Sequence, residues 1–209
     1  MLLPSDYPAL LTRLDDWQSS VRERFPGVVP CRAGCSACCH GPFDISVADA
    51  LLVRDAVAAL PPGEREAVRR RARTQLSRMA GAEPSFRFAW DVSRLGEARF
   101  DALVEAHADA PCPALGSGGE CLIYESRPMV CRMMGLGMRS RSGAVLENAC
   151  PIQEDFPEFR DLPPQEFDLE AWEAEETTAL RLAAVELFAD EERSGYETTI
   201  AGAALLHGA

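Results

Sequence analysis

The sequence predicts a mainly α protein, a single helical domain interrupted by two cysteine-rich irregular segments. Three observations predict it. Apolar residues recur at helical spacing in five stretches, Gly and Pro punctuate those stretches, and the eight cysteines fall in two groups between them. A chain of 209 residues with 47% apolar and 26% charged residues lies in the ordinary globular range and is long enough to bury a core.

The elements follow in order. Leu10, Leu14, Trp17 and Val21 recur at helical spacing behind a Ser5-Asp6 cap signal, and Pro26-Gly27 ends this first helix. Cysteines 31, 35, 38 and 39 then crowd together ahead of Gly41-Pro42, which predicts irregular backbone. Ser46 and Asp49 have the spacing of a capping box before Leu51, Val53 and Val57, so a second helix runs to the break at Pro61-Pro62-Gly63. A third covers about Glu64 to Ala80 with Val68, Ala72, Leu76 and Met79 inward. Phe100, Leu103, Val104 and His107 share one face of a short fourth helix. From Cys112 to Cys150 Gly, Pro and Cys dominate, with one short extended piece expected at Leu122 to Tyr124. Phe167 to Arg193 reads as helix with Leu180, Ala184, Leu187 and Phe188 as its apolar stripe and Gly195 as its cap. The tail from Tyr196 to Ala209 is weakly helical and is expected to fray or to pack on a partner. By this reading residues 1–160 form the cysteine-bearing domain, and 161–209 form an acidic helical extension packed on it.

Charge and hydropathy exclude some functions. A net charge of -12 repels nucleic acid and anionic membranes, so neither is expected as a partner. Lysine is absent, and the 21 basic residues, all arginine, are spread along the chain rather than gathered as a phosphate-binding patch. No apolar run approaches a membrane span, and the N-terminus lacks the pattern of a signal peptide, so a cytoplasmic location is expected. In that reducing compartment eight cysteines point to metal ligation or redox chemistry rather than structural disulfides.

The cysteine spacing sharpens this. Cys35-x2-Cys38 lets two thiolates from one turn reach one metal, and zinc and iron-sulfur clusters each commonly take four ligands, so others must come from Cys112, Cys121, Cys131 and Cys150. Adjacent Cys38 and Cys39 project in different directions, so both are not expected on one tetrahedral ion. The 72 residues between Cys39 and Cys112 cost about 4 kcal/mol to close. Structural zinc binding supplies roughly 10–16 kcal/mol, so a metal centre can bring the two segments together around itself.

The segment CRAGCSACC (Cys31 to Cys39), with CPALGSGGECLIYESRPMVCR (Cys112 to Arg132) and Cys150 in NACP, resembles the YkgJ-like cysteine-cluster proteins. The resemblance implies a zinc- or iron-chelating domain. It covers residues 31 to 39 and 112 to about 150. Three residues separate Cys31 from Cys35 where the family's CxxCxxCC pattern has two, so Cys31 departs most from it. Some proteins with a similar cluster, such as flagellin lysine methylases, are enzymes; nothing in these residues carries that activity across.

All eight cysteines, Cys31, Cys35, Cys38, Cys39, Cys112, Cys121, Cys131 and Cys150, are candidate metal ligands. The adjacent pair and the count favour an iron-sulfur cluster over zinc. Between Ser126 and Leu146 lie four arginines, Arg127, Arg132, Arg139 and Arg141, and no acidic residue. They are expected to balance the negative charge of thiolate ligands, and Arg127 or Arg132 could instead bind an anionic small molecule beside the metal. Tyr124 and Pro128 are assigned to shaping the turn. His40 is a weak candidate for an open metal position, and His107 is assigned to the core. Met133, Met134 and Met138 are assigned to packing rather than to copper. The run Arg69 to Arg73 and Glu170, Glu173 and Glu176 are assigned to solvated faces. Gly116 to Gly119 lacks the strand and helix of a nucleotide-binding loop. Two other functions stay open: a metal-dependent enzyme modifying a small molecule or protein side chain, and a thiol-redox protein cycling Cys35 and Cys38 or Cys38 and Cys39. The sequence indicates no particular oligomeric state.

Overall fold

The computed structural model describes residues 7–32, 34–147 and 150–206. Its long helices are α1 (Tyr7–Arg24), α2 (Val47–Ala59), α3 (Pro62–Ala82), α4 (Glu97–Ala106) and α7 (Leu169–Phe188); α5 (Met129–Met133), α6 (Pro157–Arg160) and α8 (Ile200–Ala203) are single turns. Strands β1 (Asp44–Ser46) and β5 (Glu197–Thr199) pair antiparallel. The short strands β2 (Met138–Arg139), β3 (Val145–Leu146) and β4 (Gln165–Glu166) form a second sheet in the order β3-β2-β4. The architecture is therefore mainly α, with little sheet.

Helix α2 is the hub. The Ser46 hydroxyl accepts from the Asp49 amide at 3.2 Å and starts it, and Leu60, ahead of two prolines, ends it. Val47, Ala48, Ala50, Leu51, Val53 and Val57 are all buried, because α7, α3 and α8 pack on its different sides. Burial all round explains why its apolar residues do not form one narrow stripe. Helix α3 places Val68, Ala72, Leu76 and Met79 in the same core, and α1 adds Leu10, Leu11 and Leu14. A smaller apolar cluster gathers Val21, Leu136, Cys150 and Phe159, with Cys31 against it.

The four N-terminal helices lie where their periodicity places them, and Val104 is partly buried beside Phe100 and Leu103 as expected. The Ser5-Asp6 cap lies outside the described residues. Residues 122–124 are not extended: Leu122 and Ile123 turn into a 3-10 turn over Tyr124–Ser126, a three-residue alternation being too short to separate strand from turn. Helix α7 ends before Gly195, at Ala189, which takes a left-handed φ of 54° while its amide donates to the Val185 carbonyl.

The tail also differs from expectation. Thr198, Thr199, Ala201 and Ala203 are buried, because β5 pairs with β1 and α8 packs on α2 and α3. Small residues permit this approach: Gly202 sits against Thr198 and Trp90 with no space for a Cβ. Residues on both sides of position 160 thus share one core. Residues 207–209 lie outside the described part. Among the described residues no helix is long and apolar enough to cross a membrane.

Candidate metal centre

Three local devices place the cysteines. In the first segment the Cys35 amide donates to the Arg32 carbonyl and the Cys39 amide to the Ser36 carbonyl, both at 2.9 Å, so consecutive turns bring Cys35, Cys38 and Cys39 round one side. Backbone bonds then tie the second segment to the first. The Gly41 amide reaches the Ala110 carbonyl at 2.8 Å and the Cys112 amide reaches the Cys39 carbonyl at 2.9 Å, with His40 opposite Pro111. Gly41 has a φ of 76° and lies close under Ala108, a position suited to glycine.

A tight reversal over residues 116–119 follows. The Gly116 amide donates to Glu120 and Leu122 to Ala114, and Leu115 bridges Cys121, so Cys112 and Cys121 return to the same place. The glycines serve this reversal. Lastly, Cys131 stands on α5, whose first amide, Met129, donates to Asp49 Oδ1 at 3.1 Å. Asp49 also accepts from the Tyr7 hydroxyl at 2.8 Å, so one buried carboxyl joins α1, α2 and α5.

Together these devices bring six cysteines, Cys35, Cys38, Cys39, Cys112, Cys121 and Cys131, onto the wall of one cavity of about 80 Å³. Phe43, Ile123, Val130 and Ile200 make up apolar wall, and Tyr124 and Arg127 close one side. Cys31 and Cys150 are not in that wall; they meet in the smaller apolar cluster. His40 is exposed. His107 is half-buried at the end of α4, its Nε2 without a hydrogen-bond partner.

Burial decides the protonation of most of these thiols. It pushes Cys112 up to about 11 and holds Cys131 well above the usual thiol value. Burial also raises Cys121, with the Arg127 charge pulling the other way. Cys38 is raised first by its hydrogen bond with Cys39 and then by burial. Burial and then the neighbouring Cys150 push Cys31 up to about 11. At neutral pH these are thiols, and a metal must displace their protons to bind.

The arginines divide by role. Arg132 is buried and donates to the carbonyls of Arg127 at 2.9 Å and Glu125 at 2.8 Å and to the Asp15 carboxylate, while its own carbonyl accepts from Gln18. It braces the turn. Arg127 is in the cavity wall, 3.8 Å above the Tyr124 ring, with one bond to Asp15 at 3.2 Å and a buried Nε that has no acceptor. Arg141 pairs with Asp168 at the surface and Arg139 is exposed.

Sequence reasoning missed Asp49 as the support of α5. It also missed Arg71, placed in a solvated run: its Nε donates to Pro113 at 2.9 Å, its Nη2 is buried without an acceptor, and its charge favours the Cys112 thiolate. An arginine three residues from buried Val68 on α3 was the available signal.

A family model described as "CxxCxxCC: Putative zinc- or iron-chelating domain" matches residues 30–151, more than half of the chain. The chain belongs to the CxxCxxCC family. The matched span contains all eight cysteines with Asp49, Arg71, Arg127 and Arg132, and it leaves out Ile200, which the fold brings to the cavity of this CxxCxxCC protein from the C-terminal side. No curated protein and no solved structure matches the chain.

The donor set fits a thiophilic metal or cluster: six thiols from two distant segments, one shared cavity and two adjoining arginines with unsatisfied donors. Among the described residues no three His, Cys, Asp or Glu side chains are drawn together as finished metal ligands are.

Proposed function

We propose that the cysteine cavity holds an iron-sulfur cluster, with zinc as the alternative occupant, and that the protein serves in electron or metal handling. The observation that carries this is six cysteines on one cavity wall, more than the four that a single tetrahedral zinc takes. Cys35, Cys38, Cys121 and Cys131 are the principal ligands in this reading, two from each segment. Cys39 and Cys112, whose backbones bond to each other, stand by as additional ligands or reactive thiols. Cys31 and Cys150 form a second thiol pair outside the cavity. When bound, a cluster would supply one-electron chemistry, and zinc would supply a structural tie or a Lewis acid.

The chain's own residues do the rest. Four thiolates leave a centre of either kind with excess negative charge, and Arg127 in the wall opposes it. Its buried Nε, without an acceptor, would also serve an anionic small molecule in a metal-dependent enzyme, the alternative to metal handling. The apolar wall of Phe43, Ile123 and Ile200 limits water around the sulfurs.

Anaerobic purification followed by iron, sulfide and zinc analysis and a visible spectrum tests the proposal, with Cys35→Ser and Cys121→Ser beside the wild type. Iron and sulfide lost in both variants support a cluster joining the segments. Stoichiometric zinc supports the alternative, and protein without metal in the wild type refutes both.

A further inference from the structure

A second cavity lies on the other side of α5. It measures about 120 Å³. Met129 and Met133, one helical turn apart, and Met138 on β2 all contribute to its wall, so three of the six methionines in the chain meet there. Met134, by contrast, belongs to the cysteine cavity. Phe167 and Trp172 form an apolar side, and exposed Glu173 and half-buried Glu176 complete the lining.

No arginine lines this cavity, and no ion pair engages Glu176 or Glu173 among the described residues. Glu176 is half-buried in this wall, so water screens its carboxyl less than that of exposed Glu173. Thioethers alone suit packing. Thioethers gathered round one cavity offer the soft donors that copper(I) selects, and a carboxylate that no arginine engages adds one negative charge beside them.

We propose that Met129, Met133, Met138 and Glu176 form a binding site for a soft monovalent cation, copper(I), separated from the cysteine cavity by the single turn of α5. That turn carries Cys131 toward one cavity and Met129 and Met133 toward the other. The proposal does not depend on what the cysteines hold.

The test uses the full chain carrying whatever metal it retains on anaerobic purification, with 13C-labelled methionine methyl groups, titrated with copper(I) stabilised in acetonitrile. The methyl signals of Met129, Met133 and Met138 are expected to move together while Met79, in the α3 core, stays still. Met133→Leu keeps the packing and Glu176→Gln keeps the shape; each is expected to weaken the copper response of the Met129 methyl by roughly tenfold or more. The metal content measured at the cysteines should stay unchanged in both variants. Copper(I) that moves only Met134, or none of the three methyls, overturns the proposal, as does a Met129 response unaffected by both variants.

Discussion

Replacing Arg132 by Gln should destabilise the protein by about 2–5 kcal/mol. The side chain is buried and its fork serves three acceptors: the carbonyls of Arg127 and Glu125 and the carboxylate of Asp15. Two carbonyls left without a donor cost roughly 1–2 kcal/mol each, as for other buried groups that lose a charged partner. The ion pair adds at most about 1 kcal/mol, because Asp15 is 38% exposed and can return to water. Arg132→Lys should restore the ion pair and little else, since an ammonium cannot reach three acceptors with fork geometry. Urea unfolding at neutral pH measures both variants. The turn braced by Arg132 carries Tyr124 and Arg127 of the cavity wall, so metal retention should fall along with stability. A glutamine variant within about 1 kcal/mol of wild type would refute the assignment of Arg132 as the brace.

Metal affinity should rise with pH between 6 and 8, because the thiols of Cys112, Cys121 and Cys131 are raised by burial and each must lose its proton to become a ligand; chelator competition at several pH values measures the proton count, and a flat profile would contradict it. Glu176→Gln should stabilise the protein by about 1–2 kcal/mol at pH 8 and leave it unchanged at pH 4. The carboxyl near 7 in the fold lies above its unfolded value of 4.5, so native protein holds the proton more tightly and stability is lost as pH rises through that interval. Gly135→Ala should cost about 1–3 kcal/mol, since the residue has a φ of 84° and a Cβ there would lie 2.7 Å from the Phe159 ring and 3.2 Å from the Cys150 Cβ; thermal unfolding checks it.

Much of the helical framework was legible because 3.6-residue periodicity persists over several turns in α1 to α4 and because Ser46, Pro26 and Pro61-Pro62 mark their ends. The five strands among the described residues were not, being two or three residues each, too short to carry a period. The burial of the tail escaped because Ala, Gly and Thr carry no strong apolar signal, although small size is what lets α8 approach α2. Helical spacing gave Glu176 and Arg71 an outward direction but not the neighbouring element that covers them, so both were read as solvated. The sequence singled out the cysteines of the candidate site and not the residues that support them. Cys31, set apart by its longer spacing, is also set apart in space, beside Cys150. Asp49 looked like a helix cap, and only its contacts with Tyr7 and Met129 identify it as the support of the helix bearing Cys131.

The central claim is that cysteines from both segments hold one metal centre. X-ray absorption at the edge of the metal retained on anaerobic purification tests it most directly, by counting the atoms bound to that metal. The account predicts a first shell made of sulfur, near 2.3 Å if the metal is zinc, that loses sulfur in both Cys35→Ser and Cys121→Ser; a first shell of nitrogen and oxygen, or one that either substitution leaves intact, would contradict it.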